Sequence, residues 1–173
     1  MGLPIGPIIL ATNANRTISD YFETLKWLPR PSVQTLASAM DVGDPSNMER
    51  LRSLVGDAEV LRDRLGVLAV TDDLIEAAIR QDYEEFGFAT CPHTATATHT
   101  WRNLSDELRA GHDWILVATA HPAKFETIVE PLIGATVPLP EGLADILARP
   151  SRSVAIDADL ETLDAALREF FLV

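Results

Sequence analysis

Histidine and threonine side chains at a predicted helix start are the best candidates in this chain for holding a ligand. The segment Cys91-Pro92-His93-Thr94 follows one predicted helix and begins the next. Backbone N–H groups in the first turn of a helix lack intrahelical partners, so they can bind a small ligand there. The sequence therefore predicts a site that contains His93 and Thr94. The alternative is that Thr94 serves only as an N-cap, which is a common use of threonine.

Two asparagines come directly after an apolar run that predicts a buried strand at 7–11. In open α/β sheets, ligands bind beyond the carboxyl ends of the strands, where Asn13 and Asn15 are expected. Asparagine also tolerates the backbone angles of tight turns, so the pair could simply end the strand.

A second apolar run, at 114–118, predicts another strand, and Thr119, His121 and Lys124 follow it. Because the carboxyl ends of parallel strands meet at one edge of a sheet, these residues and Asn13 are expected around one shared crevice. The alternative for His121 and Lys124 is an ordinary loop residue and a solvated side chain.

Ser46, Asn47 and Arg50 lie where another helix is predicted to begin, with Asp44 as its N-cap. The positive end of a helix dipole favours an anion, so these three residues are candidate substrate ligands. The neighbouring carboxylates of Asp44 and Glu49 weigh against an anion at this place.

Several other kinds of site are excluded by the residues present. Cys91 is the single cysteine, which rules out an internal disulfide and a cysteine-rich zinc site and suits a reducing cytosol. His93 and His99 are six residues apart and do not share a helical face, so no metal site is predicted. The chain contains no glycine-rich phosphate loop and no nucleophile elbow.

The bulk composition describes a globular, acidic chain. Of its 173 residues 47% are hydrophobic, and the net charge is −12. Such a charge opposes unspecific binding to nucleic acid and to anionic membranes. No stretch approaches the roughly 20 apolar residues of a membrane span, and a cytoplasmic location is expected.

Strands that alternate with helices predict an α/β fold with a largely parallel sheet in one segment, 1–173. Three strands are predicted, which is few for a complete sheet of this class. The clearest helix begins after Thr71 and ends at Gly87. The other predicted helices are at 17–27, after Asp44, through Leu61 and Leu65, from Pro92 to about Arg109, around Phe125–Leu132, before Leu147 and after Asp159, and the predicted strands are 7–11, 114–118 and 154–156.

Four short motifs, together with the order in which they occur, carry a resemblance to a known family. They are ATNAN at 11–15, PSNMER at 45–50, CPHTA at 91–95 and HPAKF at 121–125, and SVAIDADLETLDAALREFF closes the series. Over essentially its whole length the chain resembles the C-terminal part of threonine synthase.

The resemblance implies a pyridoxal phosphate (PLP) enzyme of the tryptophan-synthase-β fold type, of which this chain is the C-terminal portion of a doubly wound sheet. Such a lyase converts O-phosphohomoserine and water to threonine and phosphate, the last step of threonine biosynthesis. Thr94 matches the hydroxyl that faces the pyridine nitrogen of PLP. The resemblance places the other candidates around cofactor and substrate: Asn13, Asn15 and His93 near PLP, and Ser46, Asn47 and Arg50 near the substrate.

Two departures from the family pattern affect what the chain can do. Arg16 stands where the family often has aspartate. The family's Schiff-base lysine and phosphate loop come before the segment that matches MGLPI, and Lys26 and Lys124 stand in other motifs. No catalytic residue is therefore assigned, and the isolated chain is expected to be inactive, incomplete as a fold, and prone to self-association through exposed apolar surface.

Two alternatives remain at this point. The chain could be a stand-alone, non-catalytic α/β module that docks with a partner chain. It could also be an enzyme in its own right with Lys124 as the Schiff-base lysine.

Overall fold

A two-stranded parallel sheet lies at the centre of the first part of the chain in the computed structural model. Strand β1 (Ile8–Thr12) pairs with β2 (Leu65–Ala69), with Ile8 opposite Leu65 and Thr12 opposite Ala69. The predicted strand at 7–11 is confirmed with a shift of one residue, but it is half-buried rather than buried, and Ile8 is exposed. The prediction that a helix runs through Leu65 is wrong, because a short apolar run of this kind fits a buried strand as well as a helix.

The structure describes residues 5–55, 59, 60, 62, 65–151 and 153–171. Leu61, the other residue of that predicted helix, lies outside them. The chain divides into two compact units, 1–138 and 139–173. Within the described residues, no helix has both the length and the apolar character needed to cross a membrane.

The strands predicted at 114–118 and 154–156 are wrong, since both runs are in neither helix nor strand. A strand forms only where a neighbouring backbone accepts and donates its hydrogen bonds. Within the described residues, neither run has such a neighbour. As a consequence Ile115 and Val117 are 88% and 68% exposed, although their run reads as a strand covered on both faces.

Besides the helical residues 59, 60 and 62, six helices of the first unit lie within the described residues. They are α1 (Thr17–Thr24), α2 (Met48–Val55), α3 (Asp72–Phe86), α4 (Pro92–Arg102), α5 (Asp106–Ala110) and α6 (Glu126–Ile133), with short 3-10 helices at Ser38–Met40 and Pro122–Phe125. The strongest prediction, α3, is confirmed at both ends. Thr71 is extended at its start, and Gly87 ends it with a φ of 71°, a conformation that glycine adopts without strain.

Three predicted helix ends differ from the structure. The first helix ends at Thr24 rather than at 27, because Leu25 adopts a left-handed conformation with a φ of 61°. The helix predicted after Asp44 begins at Met48, because Pro45 to Asn47 form a tight turn of i to i+3 hydrogen bonds. The helix predicted from 92 to 109 is broken after Arg102, and Ser105 then caps α5 through a 3.2 Å bond from Leu108 N.

Aromatic side chains of α1 pack on one face of the sheet. Tyr21 and Phe22 are buried together with Met48 of α2, and Leu10 and Val67 of the two strands lie against them. This packing stabilises β1 and so holds in place the strand end from which Asn13 and Asn15 follow.

The second unit contains α7 (Glu141–Leu147) and α8 (Leu160–Phe171). The prediction that Asp159 caps the last helix is confirmed, since Thr162 N donates to its Oδ1 at 2.9 Å. That hydrogen bond lowers the pKa of Asp159.

Candidate functional site

A cavity of about 1210 Å³ lies beside β1 in the first unit. Its walls are β1, the turn 39–42, the residues before α2, the inner face of α4 and the segment 111–119. Most of the lining is apolar, with Leu10, Ile18, Trp101 and Trp114 among the larger side chains. Four of the seven predicted site residues reach it: Asn15, Ser46, Asn47 and His93. Thr94, Asn13 and Arg50 are not among the lining residues.

Asn13 is fully buried and is engaged by the protein itself. Its Nδ2 donates to Asp41 Oδ1 at 2.7 Å and to Thr35 Oγ1 at 2.8 Å, and its Oδ1 accepts from Asn15 N at 2.9 Å. This amide therefore fastens the loop 33–41 to the end of β1. Its place beside a cofactor stays a prediction.

Asn15 lines the cavity and also holds the same loop. Its Nδ2 donates to Val33 O at 2.9 Å, and its Oδ1 accepts from Val33 N at 2.8 Å. The Asn15 amide thus forms the same pair of hydrogen bonds with the backbone of Val33 that a neighbouring strand would form. Both asparagines make the turn that was the alternative interpretation, and Asn15 in addition faces the cavity.

Asp41 is an essential part of this arrangement and was not among the residues predicted from the sequence. Its carboxylate accepts hydrogen bonds from Asn13, Asn15 and both the backbone N and the hydroxyl of Thr35, the last at 2.6 Å. Buried amide N–H groups require acceptors, so an acid near the asparagines could have been sought. The residues next to Asp41 in the sequence do not indicate that this acid is the acceptor.

The start of α4 is buried and no side chain caps it. Cys91 is the N-cap, Pro92 is the first helical residue, and the whole segment from Cys91 to Thr96 has little contact with solvent. The Thr94 hydroxyl lies 3.2 Å from Cys91 Sγ, which is a weak hydrogen-bond partner. An uncapped helix start in a buried place is unusual and favours a polar ligand.

His93 links the start of α4 to the turn that covers the cavity. Its Nε2 accepts a hydrogen bond from Ala39 N at 3.0 Å, so in the neutral imidazole the proton is on Nδ1. Nδ1 is buried without a hydrogen-bond partner, and the ring lies 5.0 Å from that of Phe125. Burial lowers the pKa of His93. The negative charge of Asp41 raises this pKa, and the positive charge of Lys124 lowers it further. His93 is therefore a neutral group near pH 7.

The remaining polar candidates lie at the surface. Ser46 and Asn47 are exposed at the mouth of the cavity, and Arg50 is exposed on α2. His121 caps the short helix Pro122–Phe125, since its Nδ1 accepts from Ala123 N at 3.2 Å. Among the described residues, no group of histidine, cysteine and acidic side chains could hold a metal ion.

A second buried carboxylate, Asp82 on α3, positions the start of α4. Its Oδ2 accepts from the hydroxyls of Thr90 at 2.6 Å and Thr98 at 2.8 Å, and its Oδ1 lies 2.7 Å from Arg102 Nη1. The arginine N–H does not point at that oxygen, so this last contact is an ion pair without a directed hydrogen bond. Through these partners Asp82 fixes the loop before Cys91. Asp82 is not predictable from the sequence, because it resembles any other polar residue of α3.

Comparison with known proteins finds that the chain is similar to threonine synthases. A family model described as "Threonine synthase, C-terminal" matches residues 94–167. The threonine synthase of Escherichia coli (strain K12) is 36% identical over 172 residues, which are 99% of this chain and 38% of that protein.

Solved structures agree with the sequence comparison. The threonine synthase from Escherichia coli matches with a TM-score of 0.80 at 33% identity, over 98% of this chain and 39% of the other. The PLP-bound threonine synthase from Brucella melitensis matches with a TM-score of 0.81 at 26% identity, over 98% and 41%. The chain thus spans about two fifths of the length of these relatives. The predicted fold class, an incomplete α/β portion of the PLP enzyme fold, is confirmed.

Proposed function

The chain belongs to the threonine synthase family, whose C-terminal part it matches, and we propose that it forms one wall of the active site of a PLP-dependent threonine synthase. The complete enzyme would convert O-phosphohomoserine and water to threonine and phosphate. The observation that supports this most is the meeting of Asn15, Ser46, Asn47 and His93 around one cavity that runs along β1.

The start of α4, with Thr94 and the cavity-lining His93, would form one side of the PLP site. When bound, PLP acts as an electron sink for the reacting carbon. The Thr94 hydroxyl has a thiol as its partner, so exchanging that partner for a pyridine nitrogen costs little. Asp41 is engaged by the asparagines and Asp82 by Arg102, so neither carboxylate is free to pair with a protonated ring nitrogen. Thr94 would thus face the ring nitrogen as a neutral donor.

The other residues of the chain would orient the substrate and exclude water. Ser46 and Asn47 stand at the mouth of the cavity, where their donors can meet an anionic group of O-phosphohomoserine, and Arg50 on the next turn adds positive charge. The apolar lining from Leu10 and Trp101 keeps bulk water from the reacting centre, which strengthens each electrostatic contact there.

Neither lysine of the chain is assigned a catalytic role. Lys26 and Lys124 are both exposed, and neither lines the cavity. A lysine that holds PLP must approach it closely, so we expect the isolated chain to have no threonine synthase activity. Incubation with PLP, borohydride reduction and mass spectrometry should give no saturable adduct at Lys124. Such an adduct would instead favour an enzyme that works through this lysine.

The function can be tested in a chimera in which this chain replaces the corresponding part of the Escherichia coli enzyme. We expect the chimera to release threonine and phosphate from O-phosphohomoserine and to support growth of a threonine auxotroph. Thr94→Ser should keep most of the activity, and Thr94→Val should lower kcat by about tenfold or more, the usual size of one lost polar contact in a transition state. A folded, PLP-binding chimera that is equally active with Thr94→Val would contradict the role of Thr94.

A stand-alone module that docks with another chain is the second candidate. The exposed apolar side chains of Ile115 and Val117 favour it, since surfaces of this kind mark interaction sites. It differs from the first proposal in one result: a chimera containing this chain would fold but would not make threonine.

A further inference from the structure

The cavity loop, residues 32–43, forms one wall of the cavity through Ala39 and Met40. Its two ends lie together, because Arg30 N donates to Gly43 O at 3.1 Å. A compact loop of this length with adjacent ends is an Ω-loop, a kind of loop that side chains hold together and that is frequently functional. The contacts that hold it closed therefore decide the shape of the cavity.

Side chains of the surrounding elements hold the cavity loop. Asn13 and Asn15, which follow β1, bind its first half, and Asp72 of α3 accepts from Leu36 N at 3.1 Å. Within the part of the chain that the structure describes, the backbone of the loop forms no hydrogen bond with the backbone of a helix or strand outside it. The position of the loop thus depends on a few side-chain contacts.

His93 provides the contact at the tip of the cavity loop, the short 3-10 helix Ser38–Met40. Its Nε2 accepts from Ala39 N at 3.0 Å. Among the hydrogen bonds of the described residues, this one alone joins the tip to another element. The ring on α4 is therefore what keeps this part of the wall in place.

A protonated His93 does not fit this arrangement. The neutral ring accepts at Nε2 and carries its proton on Nδ1, which is buried without a hydrogen-bond partner. An imidazolium has an N–H on both nitrogens, so its Nε2–H would face the N–H of Ala39. Its Nδ1–H would stay buried without an acceptor, which is costly for a charged ring.

Two charged side chains act on the His93 ring besides its burial. Burial lowers the pKa of His93 most, the negative charge of Asp41 raises it, and the positive charge of Lys124 lowers it. The Asp41 carboxylate is engaged by Asn13 Nδ2 and Thr35 Oγ1 at 2.7 and 2.6 Å. The closed arrangement therefore favours the neutral ring.

We propose that His93 is a pH-dependent switch, whose neutral ring holds the cavity loop closed and whose protonation at Nε2 by a proton from solvent releases the tip, Ser38–Met40. The N–H of Ala39 then bonds to water, and the wall formed by Ala39 and Met40 moves away from the cavity. Histidine suits this role, because its charge ordinarily changes between pH 5 and 8.

The switch itself depends only on these contacts within the chain. Its meaning for catalysis rests on the proposed function: a closed loop would shape the substrate site, and His93 would then be a positioning residue for the reaction. The movement of the loop can be measured without PLP and without substrate.

Amide hydrogen exchange, followed by NMR on the full chain, tests the switch at three amides of the loop. Ala39 N donates to the His93 ring at 3.0 Å. Thr35 N and Leu36 N donate to aspartate carboxylates at 3.0 and 3.1 Å, and aspartate ordinarily titrates at about pH 4. The three amides are thus matched in length but differ in whether the acceptor titrates near neutral pH.

The quantity to compare is the protection factor, the ratio of the intrinsic to the measured exchange rate, which removes the direct effect of pH on exchange. At Ala39 it should fall by up to about tenfold from about pH 7.5 to about 5.5, as for a ring that titrates at about 6.5 when the loop is open. At Thr35 and Leu36 it should change much less.

Variants of two histidines of α4 are the matched controls. His93→Gln keeps an acceptor that does not titrate, so Ala39 should stay protected at both pH values. His93→Leu removes the acceptor, so protection there should be low at both. His99→Gln should leave the change at Ala39 intact, because burial also lowers the pKa of His99 but its ring contacts Asn103 at the end of the same helix.

The unaltered chain provides a test that does not depend on any variant folding. The ring resonances of His93 should titrate over the same pH range as the protection factor at Ala39, because one proton controls both.

Three results would overturn the proposal. The first is equal protection of Ala39 at both pH values. The second is a fall of the same size at Thr35 and Leu36, which would mean that the whole loop opens. The third is a fall at Ala39 that persists in His93→Gln. None of these results involves PLP, so a failure here is distinguishable from a failure of the catalytic proposal.

Discussion

Replacing Asp82 with alanine is expected to destabilise the chain by about 3 kcal/mol or more. The carboxylate is completely buried, accepts from the hydroxyls of Thr90 and Thr98, and pairs with Arg102 at 2.7 Å. Removing one partner of a buried ion pair costs about 3–5 kcal/mol, because the other charge is left without compensation.

The structure places the expected value at the lower end of that range. Arg102 keeps a second partner, since its Nε and Nη2 lie 3.2 and 2.8 Å from Glu85 Oε2. Thr98 keeps an alternative acceptor in Ala95 O at 3.1 Å, whereas Thr90 loses its side-chain acceptor. Even about 3 kcal/mol is a large share of a typical stability of roughly 5–15 kcal/mol.

Urea unfolding, followed by circular dichroism, measures the effect. With a slope of roughly 2 kcal/mol/M, the midpoint should fall by about 1.5 M. Glu76→Ala is the control, because it removes an exposed ion pair with Arg80 and should cost less than about 1 kcal/mol. If Asp82→Ala does not fold, Asp82→Asn keeps the shape and should show a smaller loss in the same direction.

A midpoint for Asp82→Ala within the range of the Glu76→Ala control would refute the reasoning. It would mean that the buried carboxylate gains no more from its partners than a solvated one. The link between Asp82 and the position of His93 and Thr94 would then have no support.

Two further predictions concern a glycine and a histidine. Gly43→Ala should lower the free energy of unfolding in urea by about 1–3 kcal/mol, because a Cβ at position 43 would lie 1.9 Å from Arg30 O. The control is Gly142→Ala in α7, where a Cβ meets nothing within 4 Å and the change should be neutral or stabilising. Equal effects of the two substitutions would contradict this prediction. Burial lowers the pKa of His93 below its ordinary 6.5, so the unfolded chain binds the proton more readily than the folded chain. The free energy of unfolding therefore falls as the pH drops through about 6.5, by at most about 1.4 kcal/mol per pH unit. His93→Gln should reduce this loss between about pH 7.5 and 5.5, and an unchanged loss would assign it to His99, whose pKa burial also lowers.

The helices were the part of the fold that local patterns predicted best. Thr71 and Gly87 bracket α3, and Asp159 caps α8, because caps and stripes depend on residues within a few positions of one another. Helix ends were less predictable where the backbone departs from its usual preferences, as at Leu25, whose left-handed conformation no neighbouring residue indicates.

Four of the residues predicted for the site come together in the structure, while their binding of cofactor and substrate stays a prediction. Asn15, Ser46, Asn47 and His93 do meet at one cavity, in accordance with the rule that ligands bind beyond the carboxyl ends of strands. Asp41 and Asp82 were missed, because a carboxylate becomes structurally decisive through partners on other elements, and these partners are distant in sequence.

The sequence by itself determined the helices, the first strand, the family and the types of residue at the site. Each of these depends on local periodicity, on capping or on short motifs, all of which are present in a linear chain. The tertiary structure decided which apolar runs become strands: Leu65–Ala69 does so beside β1, and 114–118 does not. The physical reason is that a strand is stabilised by hydrogen bonds to another backbone, so its existence depends on whether a neighbour is there to pair with it.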